Sequence, residues 1–210
     1  MDDTADNSAP GTGDTTGEWY ADRLVTLRSQ SWRRFVPDPY RWNIRRSKLG
    51  RMLDVGCGVG RCLAFNDGNG VGIDHNPTSV ATCRRLGLEA YTPDEFVASG
   101  RFDPGSFDSL LLSHVLEHTT PAQGRDLLEQ YLPYVRPGGT VLVITPQEAG
   151  QRSDPTHVRL LDRTALAAEL RAIGVFDVRT RSFPFPAVVG RFFRHNENQA
   201  RGRTVGAAGS

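Results

Sequence analysis

Lysine is almost missing from this chain: Lys48 is the sole one among 25 basic residues. The arginine bias reads as the codon usage of a GC-rich genome. No charge of either sign dominates, because 24 acidic residues leave a formal net charge of +1. No block of like charges appears, which speaks against nucleic-acid and membrane-surface binding, both of which need a basic face. Cysteine is scarce: Cys57, Cys62 and Cys83 are odd in number and never spaced C-x-x-C. A disulfide framework or zinc knuckle is therefore excluded, and a reducing cytoplasm fits. No apolar run approaches the ~18 residues that a membrane helix needs. The opening stretch, MDDTADNSAPGTGDTTGE, is acidic, has no apolar segment and is not read as a secretory signal.

What is present is enough for one α/β domain, with hydrophobic content of 38% over 210 residues. Residues 1–18 cannot bury apolar surface and are expected to be disordered. A helical cap is expected over 19–49, within a single domain over 19–200, followed by a loose tail at 201–210. Four apolar runs read as strands: MLDVG at 52–56, GVGID at 70–74, SLLLSHV at 109–115 and GTVLVIT at 139–145. FDVRTRSF at 176–183 reads as a later strand. Helical patterns over 79–87, 122–135 and 164–174 fall between them. Strands alternating with helices imply βαβ units and a mostly parallel sheet with helices on both faces, a Rossmann-like α/β fold.

The first strand runs into Asp54-Val55-Gly56-Cys57-Gly58-Val59-Gly60. Glycines allow a sharp turn and a close approach of backbone to ligand. Asp74 ends the next apolar run, where a carboxylate can accept hydrogen bonds from both hydroxyls of a ribose. The dinucleotide fingerprint is G-x-G-x-x-G, whereas here the third glycine comes one residue early. Asp54 would repel a pyrophosphate but attract a cationic ligand. The loop therefore favours S-adenosylmethionine over a nicotinamide dinucleotide.

With these segments in view, the chain resembles the class I S-adenosylmethionine-dependent methyltransferases. MLDVGCGVGRCL is similar to their first motif and VGIDHN to their second-strand acidic motif. FDSLLLSHVLEHT resembles the fourth-strand segment, VRPGGTVLVITP the fifth-strand hairpin, and THVRLLDRTALAAELRAIGVFDV the segment before the sixth strand. The resemblance covers roughly residues 45–185. It implies a seven-stranded sheet whose last strand is antiparallel. FFRHNENQARG should supply that strand, yet NENQARG is a poor strand sequence, so a short one is expected. The resemblance further implies that Asp54, Gly56, Cys57, Gly58 and Gly60 line the methionine part of the cofactor and Asp74 holds the ribose. His75, Glu95 and Phe96 are expected beside the adenine, Ser113 and His114 at the strand-four end, and Arg45 or Arg46 at the methionine carboxylate.

The chemistry falls to residues after strands four and five. His114, Glu117, His118 and His157 all come from loops at the carboxyl ends of strands, where open α/β sheets bind ligands. His118 is expected to act as base toward an acceptor hydroxyl, with His157 and Glu117 orienting it. The same histidines and glutamate could instead hold a divalent ion such as magnesium, zinc or manganese. The signature of nucleobase and amide N-methylation, an Asn or Asp followed by two prolines, is absent. Trp19, Trp32 and Trp42 cluster in the first 42 residues, a candidate aromatic platform for a sugar. The chain also resembles compact actinobacterial methyltransferases that build polysaccharides, including those acting on methylmannose polysaccharide. This implies O-methylation of a mannoside or other sugar. The alternatives are a different small metabolite, a quinone or amine, and a non-catalytic cofactor-binding protein. A homodimer contact through the tail beyond Phe192 is a further expectation.

Overall fold

A computed structural model describes residues 38–205. The helix expected over 19–36, and with it Trp19 and Trp32, lies outside the described residues. Helix α1 (Pro39–Ser47) starts where Asp38 accepts hydrogen bonds from the N–H groups of Tyr40 and Arg41, with proline in the first turn. An N-cap carboxylate of this kind stabilises a helix by about 1 kcal/mol. It ends at Lys48, whose φ of 49° breaks the helical run.

Strands β1 (Met52–Val55), β2 (Gly70–Ile73), β3 (Ala90–Tyr91), β4 (Phe107–Ser113), β5 (Val135–Pro146), β6 (Phe176–Phe183) and β7 (Glu197–Arg203) form one seven-stranded sheet. Its order is β3-β2-β1-β4-β5-β7-β6, with β7 antiparallel to both neighbours and the β3-to-β5 ladders parallel. The expected mostly parallel, Rossmann-like sheet is the one observed. β1 is buried along its whole length, which explains why MLDV reads as an unbroken run rather than an alternation.

Helices cover both faces. On one, α1, α2 (Arg61–Phe65) and α3 (Pro77–Arg85) bring Ile44, Leu63, Val80 and Cys83 against Met52, Leu111, Leu142 and Ile144. On the other, α4 (Pro93–Ser99), α5 (Pro121–Tyr131) and α7 (Arg163–Ala172) bring Phe96, Leu128, Tyr131, Leu166 and Leu170 against Leu53, Leu110, Val141 and Val143. A short α6 (Glu148–Gln151) follows β5. Helices α4 and α5 both begin with a capping box, Thr92 with Glu95 and Thr120 with Gln123, each followed by proline.

β7 departs from expectation. It is seven residues long and continues to Arg203, so the tail expected from residue 201 is partly ladder. Polar side chains occupy its buried centre: Glu197, Asn198 and Gln199 are almost wholly enclosed. They are tolerated because they are bonded. Gln147 donates to Asn198 and to the carbonyl of Glu197 (both 3.0 Å), and Asn198 donates to the carbonyl of Leu161 (3.1 Å). Ladders on both sides and a satisfied polar network override the weak strand propensity. Among the described residues, no helix is long and apolar enough to cross a membrane.

Candidate active site

The glycine loop leaves β1 at the carboxyl edge of the sheet. Gly56, Gly58 and Gly60 have φ of 75°, 51° and 77°, a region that side chains disfavour. At Gly56 a Cβ would also collide with Val115 Cγ2. The N–H groups of Gly56 and Cys57 donate to the carbonyl of Ile73 (2.8 and 3.0 Å), and Gly58 N–H donates to Asp74 Oδ2 (2.7 Å). Asp74 Oδ1 accepts from Asn76 N–H (2.9 Å). Each carboxylate oxygen keeps a second lone pair, so Asp74 sets the loop and can still receive ribose hydroxyls. His75 places Nδ1 3.8 Å from Asp74 Oδ1.

Asp54 lies 1% exposed beneath this loop, and its Oδ2 has no hydrogen-bond partner. Burial, and then the charge of Asp74, push its pKa up to about 7. A buried, unsatisfied acceptor costs about 1–3 kcal/mol unless a ligand completes it. A cationic amino group is the natural complement, so the residues present fit the amino-acid end of S-adenosylmethionine. Cys57 points inward instead: its Sγ and that of Cys83 both approach the carbonyl of Gly58 (3.5 and 3.2 Å). Burial contributes to holding both Cys57 and Cys62 as thiols, with the Cys83 contact the larger cause at Cys57.

Three residues expected at the cofactor are engaged by neighbouring side chains. Phe96 is buried, stacked on Phe102 (4.9 Å between centroids) and edge-on to Tyr91, Tyr131 and Tyr134. Glu95 closes the α4 capping box and pairs with Arg84 (2.8 Å), contacts that lower its pKa. Arg45 pairs with Asp67, beyond the carboxyl end of α2 and so away from the glycine loop at its amino end. In each case a local partner holds the side chain. Arg46 lies over the Trp42 ring, and Trp42 stacks on Phe183.

The strand-four loop is the second half of the site. Ser113 ends β4 half-buried, opposite Ile144. His114 follows with φ of 59°, its N–H tied to the carbonyl of Ile144 (2.9 Å). Its ring bridges two buried carboxylates: Nδ1 lies 3.1 Å from Glu117 Oε1 and Nε2 2.8 Å from Glu197 Oε1. Burial alone would lower its pKa, but Glu117 and Glu197 together raise it to about 10. The Glu197 contact is a hydrogen bond. The Glu117 contact is an ion pair only, which leaves both Glu117 oxygens without a hydrogen bond although the residue is fully buried.

His118 ends the short 3-10 turn Leu116–His118. Its Nδ1 approaches the carbonyl (3.2 Å) and hydroxyl (3.0 Å) of Thr156. That hydroxyl donates to Asp154 Oδ1 (2.7 Å), and a carbonyl can only accept. Nδ1 must therefore carry the proton, leaving the Nε2 lone pair open. His157 repeats the arrangement with Nδ1 3.2 Å from the carbonyl of Gln151. The two rings meet edge to face at 4.8 Å. Burial lowers the His118 pKa, so the ring is neutral at neutral pH. Ligand atoms of Glu117, His118 and His157 all lie within 4.8 Å of one another, while His114 meets that group through Glu117 alone and turns its Nε2 to Glu197. Glu197 and Thr156 gave no chemical signal in the sequence. The D-x-T turn before His157 is the only trace of the anchoring pair.

Residues 53–143 match the family model of a methyltransferase domain. Among solved structures, the chain is similar to an S-adenosylmethionine-dependent methyltransferase from Archaeoglobus fulgidus, with TM-score 0.63, 17% identity, and coverage of 79% of this chain and 93% of that one. It is also similar to Haemonchus contortus phosphoethanolamine N-methyltransferase 2, solved with phosphomonomethylethanolamine and S-adenosylhomocysteine. There the TM-score is 0.66 at 15% identity, covering 94% of this chain and 61% of that one. No curated protein sequence matches the chain.

Proposed function

We propose that this chain is an S-adenosylmethionine-dependent methyltransferase, a reading its methyltransferase-domain match and fold support, and that it methylates a hydroxyl of a small acceptor of the sugar class. The sulfonium cofactor supplies a methyl carbon already activated for displacement. The chain's own work is then to bind, to orient and to remove a proton. Asp54 and Asp74 receive the cofactor's amino group and ribose, and Gly56, Gly58 and Gly60 let the backbone approach it. Ser113 and His114 border the methyl-transfer position.

The observation that carries the hydroxyl reading is the state of His118. Thr156 fixes the proton on Nδ1, so Nε2 is a lone pair held ready to take the hydroxyl proton. An amine acceptor would not require such a base. His157 orients the ring by its edge contact, and Glu117 stands one residue away, its Oε1 paired with the His114 ring and neither oxygen hydrogen-bonded. The sugar class follows from the resemblance to polysaccharide-building methyltransferases, and a mannoside is the member proposed. The deciding experiment is an acceptor screen by mass spectrometry with the purified chain and S-adenosylmethionine. A 14 Da gain on mannosides supports the reading. A gain confined to amines or quinones overturns it.

A second reading uses the same residues as ligands. Glu117, His118 and His157 converge, and both histidines donate Nδ1–H to backbone carbonyls, the outer support typical of metal-bound imidazole. A divalent ion there would lower the pKa of the acceptor hydroxyl directly.

A further inference from the structure

The edge strand β6 and its neighbour β7 carry a feature that methyl transfer leaves unused. Arg201 of β7 stands opposite Arg179 of β6 and Leu142 of β5, and Gln199 stands opposite Arg181 and Ile144. Directly paired residues share a face, so these side chains stand on the side where α1 lies, with Arg203 two residues along. Arg46 of α1 completes the rim. A groove of about 180 Å³ opens there, lined by Arg46, Ser47, Arg179, Arg181, Gln199 and Arg201. A hollow beside it is lined by Asp177, Arg179, Arg201, Gly202 and Arg203.

Like charges on opposed rungs repel. Arg181 and Arg201 accordingly hold their protons less tightly than a free guanidinium, through partial burial first and neighbouring arginines second. The chain offers neutral partners in return. Arg181 donates to Asn43 and Gln199, Arg201 to the Thr140 hydroxyl (3.3 Å), and Arg203 to the carbonyl of Gly138 (3.0 Å). Among the described residues, the ion pair between Arg179 and Asp177 (3.2 Å) is the only one in the set. Five guanidiniums thus share one carboxylate. The residues are scattered at 46, 179, 181, 201 and 203, so no charge block shows in the sequence; the strand register assembles the basic face.

A planar guanidinium fork matches phosphate oxygens in pairs. Forks spaced by about 5 Å across strands and ~7 Å along them present donors to several oxygens at once. We propose that this groove binds a small ligand bearing two or more linked phosphate groups, at a site separate from the methyl-transfer centre. β4 and β5 intervene between the groove's β7 wall and the glycine loop at β1.

Calorimetry on the full chain tests this, with inorganic pyrophosphate as probe beside orthophosphate, sulfate and a single-stranded oligonucleotide. Pyrophosphate should bind markedly tighter than either single-centre anion. The double variant Arg181→Gln/Arg201→Gln should weaken it roughly tenfold or more, the scale of lost charge-assisted bonds, with S-adenosylmethionine affinity unchanged. Should that variant fold poorly, Arg46→Gln/Arg179→Gln alters only exposed rim residues and should still weaken pyrophosphate severalfold. Pyrophosphate binding no better than sulfate would mean an adventitious ion only and would overturn the proposal. So would affinity untouched by either double variant. Oligonucleotide binding with a steep salt dependence, and none of pyrophosphate, would assign the face to nucleic acid instead.

Discussion

Nε2 of His114, at the end of β4, lies 2.8 Å from Oε1 of Glu197, at the start of β7 and 83 residues later in the chain. This bond draws the last strand into the site. With Glu117 on Nδ1, it holds the imidazole as a cation beside the cofactor loop, which removes His114 from the candidates for a neutral-pH base.

That assignment is checked by imidazole NMR. His114 should remain an imidazolium across neutral pH and titrate near 10, while Glu197→Gln should move the titration down. The folded pKa is raised above the ordinary 6.5. The clamp therefore contributes its full stability below pH 6.5 and loses it as pH rises through about 10. Titration of His114 near 6.5 in the unaltered protein would refute the clamp.

Cofactor binding should be pH-dependent through Asp54. Without a cation beside it the group is half-protonated near pH 7, because its pKa is raised from the usual carboxylate value. A cationic ligand favours the ionised form, so binding should release a proton near neutrality and weaken progressively as pH falls below 7. Calorimetry in buffers of different ionisation enthalpy reads the proton directly. Asp54→Asn should bind more weakly and lose this dependence; an unchanged pH profile would rule Asp54 out as the acceptor.

Loss of the base should appear in turnover rather than in binding. His118→Ala should reduce kcat by roughly a hundredfold or more, within the usual range for general-base catalysis, with cofactor affinity little altered. Because burial lowers the His118 pKa, the wild-type rate should rise with pH at values below 6.5 and then level off. Full activity in His118→Ala would dismiss it as base.

The metal reading separates by chelation. If Glu117, His118 and His157 hold an ion, a chelator abolishes activity and zinc, manganese or magnesium restores it. Each of Glu117→Gln, His118→Ala and His157→Ala should then raise the metal concentration required. Chelator-insensitive turnover leaves the metal-free base.

Gly56→Ala tests the loop's geometry. At φ 75° with Val115 Cγ2 in the way, the substitution should cost about 1–3 kcal/mol and lower the melting temperature while weakening cofactor binding. A variant as stable as wild type would show that the loop relaxes freely.

The elements legible in the sequence are those whose signal is local. Apolar runs at 52–56 and 139–145 mark strands buried on both faces, Pro121 behind Thr120 marks the start of α5, and D-x-G-x-G-x-G with Asp74 marks the cofactor loop. These patterns follow from backbone sterics and periodicity, which act over a few residues. The neighbours that hold Glu95, Phe96 and Arg45 are not legible there, because a motif's spacing does not say which way a side chain turns. Arg84, the aromatic cluster around Phe102, and Asp67 captured them.

The amino-acid sequence by itself determined the α/β class, the strand-helix alternation, the glycine loop with its paired acids, and the histidine-bearing loops after β4 and β5. Tertiary structure alone decided that a polar segment becomes the antiparallel strand β7, that Glu197 reaches His114, that Thr156 fixes the His118 tautomer, and that five scattered arginines share one face. The physical reason is contact distance. Propensity and capping act between near neighbours, whereas buried hydrogen bonds, ion pairs and strand register join residues that the chain keeps tens of positions apart.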